Sequence, residues 1–316
     1  MVLAWHDAAL AWNDAGHRAV ALAAYDALGN DAQRRAVALL HSHPRFDEDF
    51  APHLPAPLRN AAVGERDRWY FAFAATWPDF AREFAGVRPD SARLALVTRY
   101  HHPSWHYINL PTYLRDADRQ LQIAEPPLLE SADLPDDGLN LVQALVRTSH
   151  LLCQPATAPA QEGLALSWLL HLMADLHQPL HATSLYWAAR FPRGDRGGND
   201  IALANFRGSS NLHAFWDAAA GTAAGLRTSP VPAHVETFAD LARQSRELAA
   251  TEAYAPGLRA QLTHLAADAP VRVVIDADYE ARAAATARAQ LALAAQRTAT
   301  LLAALLASHG DCPLAF

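Results

Sequence analysis

The sequence predicts an all-α protein built as a single, mainly helical domain. Hydrophobic residues make up 51% of the 316 positions, which is ample for one large core. Long stretches rich in Ala and Leu, free of Gly and Pro, favour helices over strands. No internal repeat and no flexible linker divides the chain, so a single domain is preferred over two small ones.

Periodicity and helix-stop signals place the elements in order. Gly29-Asn30 ends a first helix that includes His17, and Pro-rich residues 44–60 and acidic residues 116–136 are expected to be irregular. Helices are expected at 31–42, from about 65, and at 137–152, 160–178, 233–250, 256–267 and 278–308. The last helix most simply packs across the others. No run of 18 apolar residues occurs, so we expect no stable membrane association.

Residues 1–11 are a leader-like segment. They end in Ala9-Leu10-Ala11, a pattern typical of signal-peptide cleavage, which predicts a secreted or periplasmic protein whose domain spans 12–316. The segment lacks a basic start and is interrupted by polar residues, so an ordinary disordered N-terminus is the alternative. Cleavage would leave Trp12 with a free amine that, with its own carbonyl, can chelate a metal.

Composition restricts the function. The formal charge of −7 argues mildly against a basic nucleic-acid-binding surface, although bound divalent metals would weaken that argument. The chain has no Lys, which excludes a lysine nucleophile or Schiff base. Cys153 and Cys312 match no zinc-finger or redox spacing and form either one disulfide or two buried thiols. The Gly- and Arg-rich loop 193–200 lacks the order of a phosphate-binding loop.

The stretch from His171 to His181 carries the strongest chemical signal. His171 and Asp175 are four residues apart at the end of an apolar helix, so they share one face and can reach one metal ion. Pro179 should end that helix and let the chain turn, which would bring His181 back toward the same face. Imidazole nitrogen and carboxylate oxygen are ligands that zinc accepts in hydrolytic sites.

The same His-x-x-x-Asp spacing recurs at His213 and Asp217 on a second apolar segment. One such pair is weak support in a chain with 16 His, but two pairs favour a metal site over buried core histidines. Further candidate ligands are His17, Asp79 and His106, the last on an expected strand-like wall.

Other polar residues have simpler explanations. Asp79 follows Pro78, with Arg82 one turn on; alone, these two would be a capping residue and a surface ion pair. His41 and His43, beside Pro44, are expected to be exposed and without a catalytic role.

Together these residues resemble the S1/P1 nuclease family, which is zinc-dependent and related in fold to bacterial zinc phospholipase C. The similarity runs from Trp12 to Asp217. It implies the helical phospholipase C/P1 nuclease fold and three zinc ions. The implied first set is Asp79, His106, His171 and Asp175, the second is Trp12, His17 and Asp175, and the third is His181, His213 and Asp217.

The resemblance also implies an activity. The expected reaction is cleavage of single-stranded DNA and RNA, and of 3′-nucleotides, to 5′-phosphorylated products by a hydroxide bridging two zinc ions. Asp175 would bridge these ions and Arg82 would stabilise charge on the phosphate. Tyr107 would stack on the base, with Gly198 and Asn199 contacting it. Asn109 stands where fungal members carry an acid, so base preference could differ.

Two alternatives stay open from the residues alone. The first is a zinc phospholipase C, in which the same metal site acts on phospholipid head groups. The Gly197-Gly198-Asn199 loop and the Asp79–Arg82 spacing favour the nuclease. The second alternative is a protein that uses zinc only to hold helices together, although structural zinc sites favour Cys and none is among the candidate ligands.

Overall fold

The computed structural model describes residues 12–81, 91–128, 138–206, 209–221, 225–226, 228, 237–266 and 268–308. Within them the chain is mainly helical, as predicted. The α-helices are α1 Asp14–Ala27, α2 Asn30–His41, α3 Val63–Ala74, α4 Trp77–Phe80, α5 Ser91–Tyr100, α6 Leu141–Cys153, α7 Pro159–Leu176, α8 Leu212–Ala218, α9 Phe238–Leu248, α10 Pro256–Thr263 and α11 Ala277–Ala307.

Short strands and turns connect these helices. Strands β1 Leu110–Tyr113 and β2 Thr183–Tyr186 form a parallel pair, and so do β3 Ala202–Leu203 and β4 Arg272–Val273. The turns that matter for the site are the 3-10 segments Pro103–His106, Asp116–Leu121 and Pro179–His181, and the π-helical turns Phe46–Phe50 and Ala249–Ala253.

Helix α7 is the centre of the core. Pro159 stands in its first turn, where the missing N–H costs no intrahelical bond. Every residue from Ala165 to Leu176 is buried, which is the pattern of a helix covered on all sides. It packs against α1, α2, α6 and α11. Two polar residues in the last two turns, His171 and Asp175, are therefore held deep inside the protein.

Helices α1 and α11 pack together beside α7. The side chain of Asn13 caps α1 by accepting from the Gly16 N–H at 3.0 Å. Helix α11 is long and apolar enough to span a membrane by length and composition, but half of its most apolar window is buried within the protein. The core helix of a soluble protein passes the same test, so this similarity is weak support for a span.

The structure differs from the sequence predictions at several points. Helix α5 and the β1–β2 pair were not predicted, and α10 ends at Thr263 rather than at 267. The expectation that His43 is exposed is wrong. Its ring is buried against Phe50 and Trp77, because the turn after α2 folds the chain back onto α4.

The described residues test three predictions only in part or not at all: those on the leader, on the cysteines and on membrane association. Residues 1–11 lie outside the described residues, and so does Cys312. Cys153, at the end of α6, is disulfide-bonded. The lack of stable membrane association stays a prediction.

Candidate metal centre

Eight of the nine predicted metal ligands, all but Trp12, fall into three buried groupings. Within each grouping, one ligand atom from each residue lies within 4.8 Å of the others. The groupings are His17 with Asp79 and His171, His106 with His171 and Asp175, and His181 with His213 and Asp217. These side chains come from α1, α4, α7, α8 and the two 3-10 turns that end at His106 and His181.

Asp175 lies at the junction of these groupings. Its Oδ2 is 3.1 Å from His106 Nδ1 and 3.2 Å from His171 Nε2. Its Oδ1 is 3.4 Å from His17 Nε2 and 3.6 Å from His181 Nδ1. One fully buried carboxylate therefore faces four imidazoles, with each oxygen turned toward a different pair.

The third grouping coincides with the predicted third ligand set. Asp217 Oδ1 is 3.8 Å from His181 Nε2, and its Oδ2 is 3.6 Å from His213 Nε2. Gln178 orients this carboxylate, since its Nε2 donates to Asp217 Oδ1 at 2.6 Å. The other end of the same amide accepts from the Leu180 N–H at 2.6 Å and so caps the turn that carries His181.

Backbone carbonyls fix three of the imidazole rings. Nδ1 of His171 lies 2.8 Å from the Ala75 carbonyl oxygen, that of His181 lies 2.6 Å from the His106 carbonyl, and that of His213 lies 2.7 Å from the Gly197 carbonyl. A carbonyl oxygen only accepts, so Nδ1 carries a proton in each ring, and Nε2 is the nitrogen left to bind a metal ion. This is the arrangement found around metal-ligating histidines.

The electrostatics of the centre favour positive charge. Burial alone would lower the pKa of His171, but Asp175 and Asp79 outweigh it and raise that pKa to about 9. Burial opposes the charge on Asp175, yet His171 and His181 hold its pKa well below the ordinary value. Burial and the neighbouring His171 lower the pKa of His17. The two carboxylates thus create a field that attracts cations to a centre whose ligand side chains are buried.

The residues present fit bound zinc ions. Neither ring nitrogen of His17 forms a hydrogen bond within the described part of the chain, and neither does Asp175 Oδ1, although both side chains are buried. Buried polar atoms are normally paired, so these call for a ligand that offers positive charge. Imidazole nitrogens and carboxylate oxygens are the donors that catalytic zinc takes.

A family model for S1/P1 nuclease matches residues 12–307. The chain belongs to the S1/P1 nuclease family. The match includes every predicted ligand, from Trp12 to Asp217, and extends through α11.

Curated relatives agree with this membership. Endonuclease 3 of Arabidopsis thaliana is 27% identical over 216 residues, which is 66% of this chain and 54% of that protein. Endonuclease 2 of the same plant is 30% identical over 128 residues, or 38% of each chain. Endonuclease 5 is 45% identical over 53 residues, which cover 17% of this chain and 15% of that protein. The chain thus spans about half the length of the first of these relatives.

Trp12, at the start of the S1/P1 nuclease match, is buried beside the metal centre. Its indole Nε1 donates to the Ala174 carbonyl at 2.9 Å, next to Asp175 in sequence. The N–H of Asn13 donates to the Asp217 carbonyl at 3.2 Å. These bonds tie the start of the domain to Asp217 and to the neighbour of Asp175, while chelation by the Trp12 backbone stays a prediction.

The predicted substrate-binding residues differ in accessibility. Tyr107 is 43% exposed and Asn109 is partly exposed, just after the predicted ligand His106. Gly198 is buried and its N–H donates to Asp195 at 3.0 Å, whereas the Asn199 side chain donates to the Arg196 carbonyl at 2.8 Å. Their contacts with a base stay predictions. Arg82 lies outside the described residues.

Sequence reasoning missed the residue that holds this loop in place. Buried Asp195 accepts from the N–H groups of Leu185 and Gly198 and from the hydroxyls of Ser184 and Tyr254, at 2.8 to 3.2 Å. The loop it holds includes Gly197, whose carbonyl orients His213. The only sequence signal was an acid between two glycines, which is common in exposed turns.

Proposed function

We propose that this protein is a zinc-dependent nuclease that hydrolyses phosphodiester bonds in single-stranded DNA and RNA, and 3′-nucleotides, leaving 5′-phosphates. The observation that carries the proposal is the junction at Asp175, where one carboxylate lies within 3.6 Å of a histidine from each of the three buried groupings. The relatives described above are all named endonucleases, which supports a nucleic-acid substrate.

The chain would hold three ions with the groupings described above. Bound zinc would polarise a phosphoryl oxygen and make water a nucleophile near neutral pH. The protein's own part is to orient its ligands: backbone carbonyls hold the rings of His171, His181 and His213, and Gln178 holds Asp217. Arg82 would neutralise charge on the phosphate, as the family resemblance implies.

Tyr107 supports the preference for single strands. It is an exposed aromatic side chain that directly follows a ligand, so a base beside the scissile phosphate could stack on it. A base within a duplex is already stacked on its neighbours and would have to leave them first. We also propose that the protein is exported, which the disulfide at Cys153 supports because such bonds persist in oxidising compartments.

The test compares three substrates in parallel: single-stranded DNA, single-stranded RNA and phosphatidylcholine, each with and without a chelator, using protein that begins at Trp12. Chelator-sensitive cleavage of the nucleic acids to 5′-phosphates is the expected result. Hydrolysis of the lipid alone would overturn the nuclease and support a phospholipase C. No turnover of any substrate by folded, zinc-loaded protein would support a purely structural role for the metal.

Two variants at the junction and one surface control test whether the junction is required for the reaction. Asp175→Asn removes the charge that contacts histidines of all three groupings, so we expect it to lose nearly all turnover together with bound zinc. His171→Ala should behave in the same way. Asp31→Asn makes the same change at an exposed surface position and should keep both. Retention of full activity by Asp175→Asn would refute the proposed role of the junction.

A further inference from the structure

A second cavity lies away from the metal ligands, between β1, the turn Asp116–Leu121, the end of α9 and α10. Its volume is about 540 Å³, within the range of ligand-binding clefts. Four arginines line it, and we call it the arginine cleft: Arg115, Arg119, Arg246 and Arg259.

Arginines outnumber acids among the residues that line the arginine cleft, in a protein that is acidic overall. The four arginines face two acidic lining residues, Asp116 and Glu247, whereas the whole chain has a formal charge of −7. Three of the guanidinium groups have an acidic neighbour: Arg115 is 3.1 Å from Asp118, Arg119 is 3.7 Å from Asp116, and Arg246 is 3.7 Å from Glu125. The two pairs at 3.7 Å involve exposed carboxylates and are weak in water.

Arg259 differs from the other three. It is partly buried, and its guanidinium donates to the carbonyls of Tyr254 at 2.8 Å, Tyr113 at 2.7 Å and Leu114 at 3.1 Å. Within the described residues no carboxylate pairs with it, and burial lowers its pKa from the ordinary value. A half-buried cation whose partners are all neutral is stabilised when an anion enters the cavity beside it.

An aromatic ring lies at the same place. Tyr113 lines the cleft, and the Arg119 guanidinium carbon lies 5.2 Å from the centre of its ring. Cations beside an aromatic face form the usual surface for a nucleotide, because the guanidinium groups meet phosphate and the ring meets a base.

An extended segment connects the cleft with the metal centre. From Tyr107 to Arg115 the even-numbered residues are buried and the odd-numbered ones are at least partly exposed, as expected for one face of a strand. The exposed face therefore begins at Tyr107, beside His106, and reaches Tyr113 and Arg115 in the cleft. Strands β1 and β2 start just after His106 and His181 and run away from the centre in parallel.

The distance suits a polynucleotide. The six residue steps of the extended segment from Tyr107 to Tyr113 cover about 20 Å at about 3.3 Å per residue. About six nucleotides span that length at the stacked rise of about 3.4 Å, and fewer if the strand is extended. A dinucleotide bound at the metal centre would not reach the cleft.

We propose that the arginine cleft binds backbone phosphates of a single-stranded polynucleotide whose scissile bond lies at the metal centre. This inference rests on the proposed nuclease function. It assigns the protein an affinity that grows with substrate length until the strand reaches the cleft. The metal centre would then hydrolyse the scissile bond, and the arginine cleft would retain the strand.

The test uses a double variant, Arg119→Ser with Arg246→Ser, because neither side chain is buried in the core. Arg34→Ser with Arg288→Ser removes the same charge from exposed positions outside the cleft and is the matched control. Binding of a labelled 16-nucleotide single strand with hydrolysis-resistant phosphorothioate linkages is measured by fluorescence anisotropy at several salt concentrations. Turnover of a dinucleotide is measured separately.

We expect the cleft variant to bind the 16-nucleotide strand about tenfold more weakly than the control, with a shallower salt dependence, and to turn over the dinucleotide normally. Equal affinity of the two variants, or no binding of the strand by the parent protein, would overturn the inference. So would a variant-sensitive affinity for anionic phospholipid vesicles in place of the strand. Failure of the parent to cleave the dinucleotide would count against the nuclease function instead, while strand binding would still decide the role of the cleft.

Discussion

The indole N–H of Trp77 donates to a carboxylate oxygen of Asp49 at 2.9 Å, and both side chains are buried. Arg45 completes the arrangement with bonds of 2.8 and 3.1 Å to the same carboxylate. Trp77 begins the four-residue helix α4, and ligand Asp79 lies two residues further on. Asp49, which lies outside the metal centre, thus anchors the short helix that carries the predicted metal ligand Asp79.

Loss of this anchor should weaken both the fold and the metal site. Asp49→Ala leaves the Trp77 N–H buried without an acceptor, so we expect a loss of about 1–3 kcal/mol in the free energy of unfolding. Metal affinity should fall about tenfold, as for other residues that orient ligands. Urea unfolding and metal titration measure the two effects. Asp31→Ala, which breaks an exposed ion pair, is the control, and equal behaviour of the two variants would contradict the prediction.

Gly163 marks the closest approach of α7 to the end of α2. A β-carbon there would lie 2.4 Å from the Leu39 carbonyl oxygen and 2.9 Å from the His43 nitrogen, both backbone atoms. Gly163→Ala should therefore destabilise the protein by about 1–3 kcal/mol despite the better helix propensity of Ala. In α10, Gly257→Ala meets nothing within 4 Å and should stabilise by up to about 1 kcal/mol. Urea unfolding of both variants checks the opposite signs.

His43 makes stability depend on pH. Burial lowers its pKa to about 3, below the value of about 6.5 in an unfolded chain. Its stabilising contribution is therefore complete above about pH 6.5 and declines as the pH falls toward 3, by up to about 1.4 kcal/mol per pH unit. Asn at this position keeps an acceptor for the Arg45 N–H but does not titrate.

When the pH is lowered from 7.5 to 4.5, we expect the free energy of unfolding to fall by about 2–3 kcal/mol less in His43→Asn than in the parent protein. Denaturant unfolding at a series of pH values measures this difference, and release of metal by acid is common to both proteins. His41→Asn, in the exposed last turn of α2, serves as the control. Parallel pH curves for the parent and His43→Asn would show that burial of His43 does not exclude its proton.

Asp195 should be important for the third grouping because it holds the loop whose Gly197 carbonyl orients His213. Asn at this position has one acceptor oxygen, whereas donors approach both oxygens of Asp195, so two of the four bonds are lost in either orientation of the amide. We expect Asp195→Asn to cost about 1–3 kcal/mol and to lower metal affinity at His213. Metal titration with Asp200→Asn, an exposed acid in the same loop, is the comparison; identical affinities would argue against this role.

Much of the site was predictable because it is local in sequence. The His-x-x-x-Asp spacing at His171 and at His213 depends only on helix geometry; α7 is a helix as predicted, and the apolar segment with His213 and Asp217 is helix α8. Pro179 ended α7 close to the expected position, so the turn back to His181 also followed from local rules. These residues could be named because each signal lies within about ten positions of the chain.

Features that depend on distant contacts were not predictable. The β1–β2 pair is only four residues long and joins segments more than 70 positions apart, so neither strand has a clear pattern of its own. His43 was misjudged because its burial is supplied by Trp77 and Phe50 rather than by its sequence neighbours. The carbonyl partners of the ring nitrogens carry no side-chain signal at all.

The long separation between ligands and their partners has a consequence for how the protein matures. A growing chain that ends before α7 already contains His17, Asp79 and His106, but lacks the carboxylate at which their groupings meet. The third grouping is completed later still, because it needs Asp217 and the loop that orients His213. A complete set of ligands therefore exists only after two-thirds of the chain has been made and folded. If the chain crosses a membrane unfolded, it crosses without its metals and acquires them where it folds.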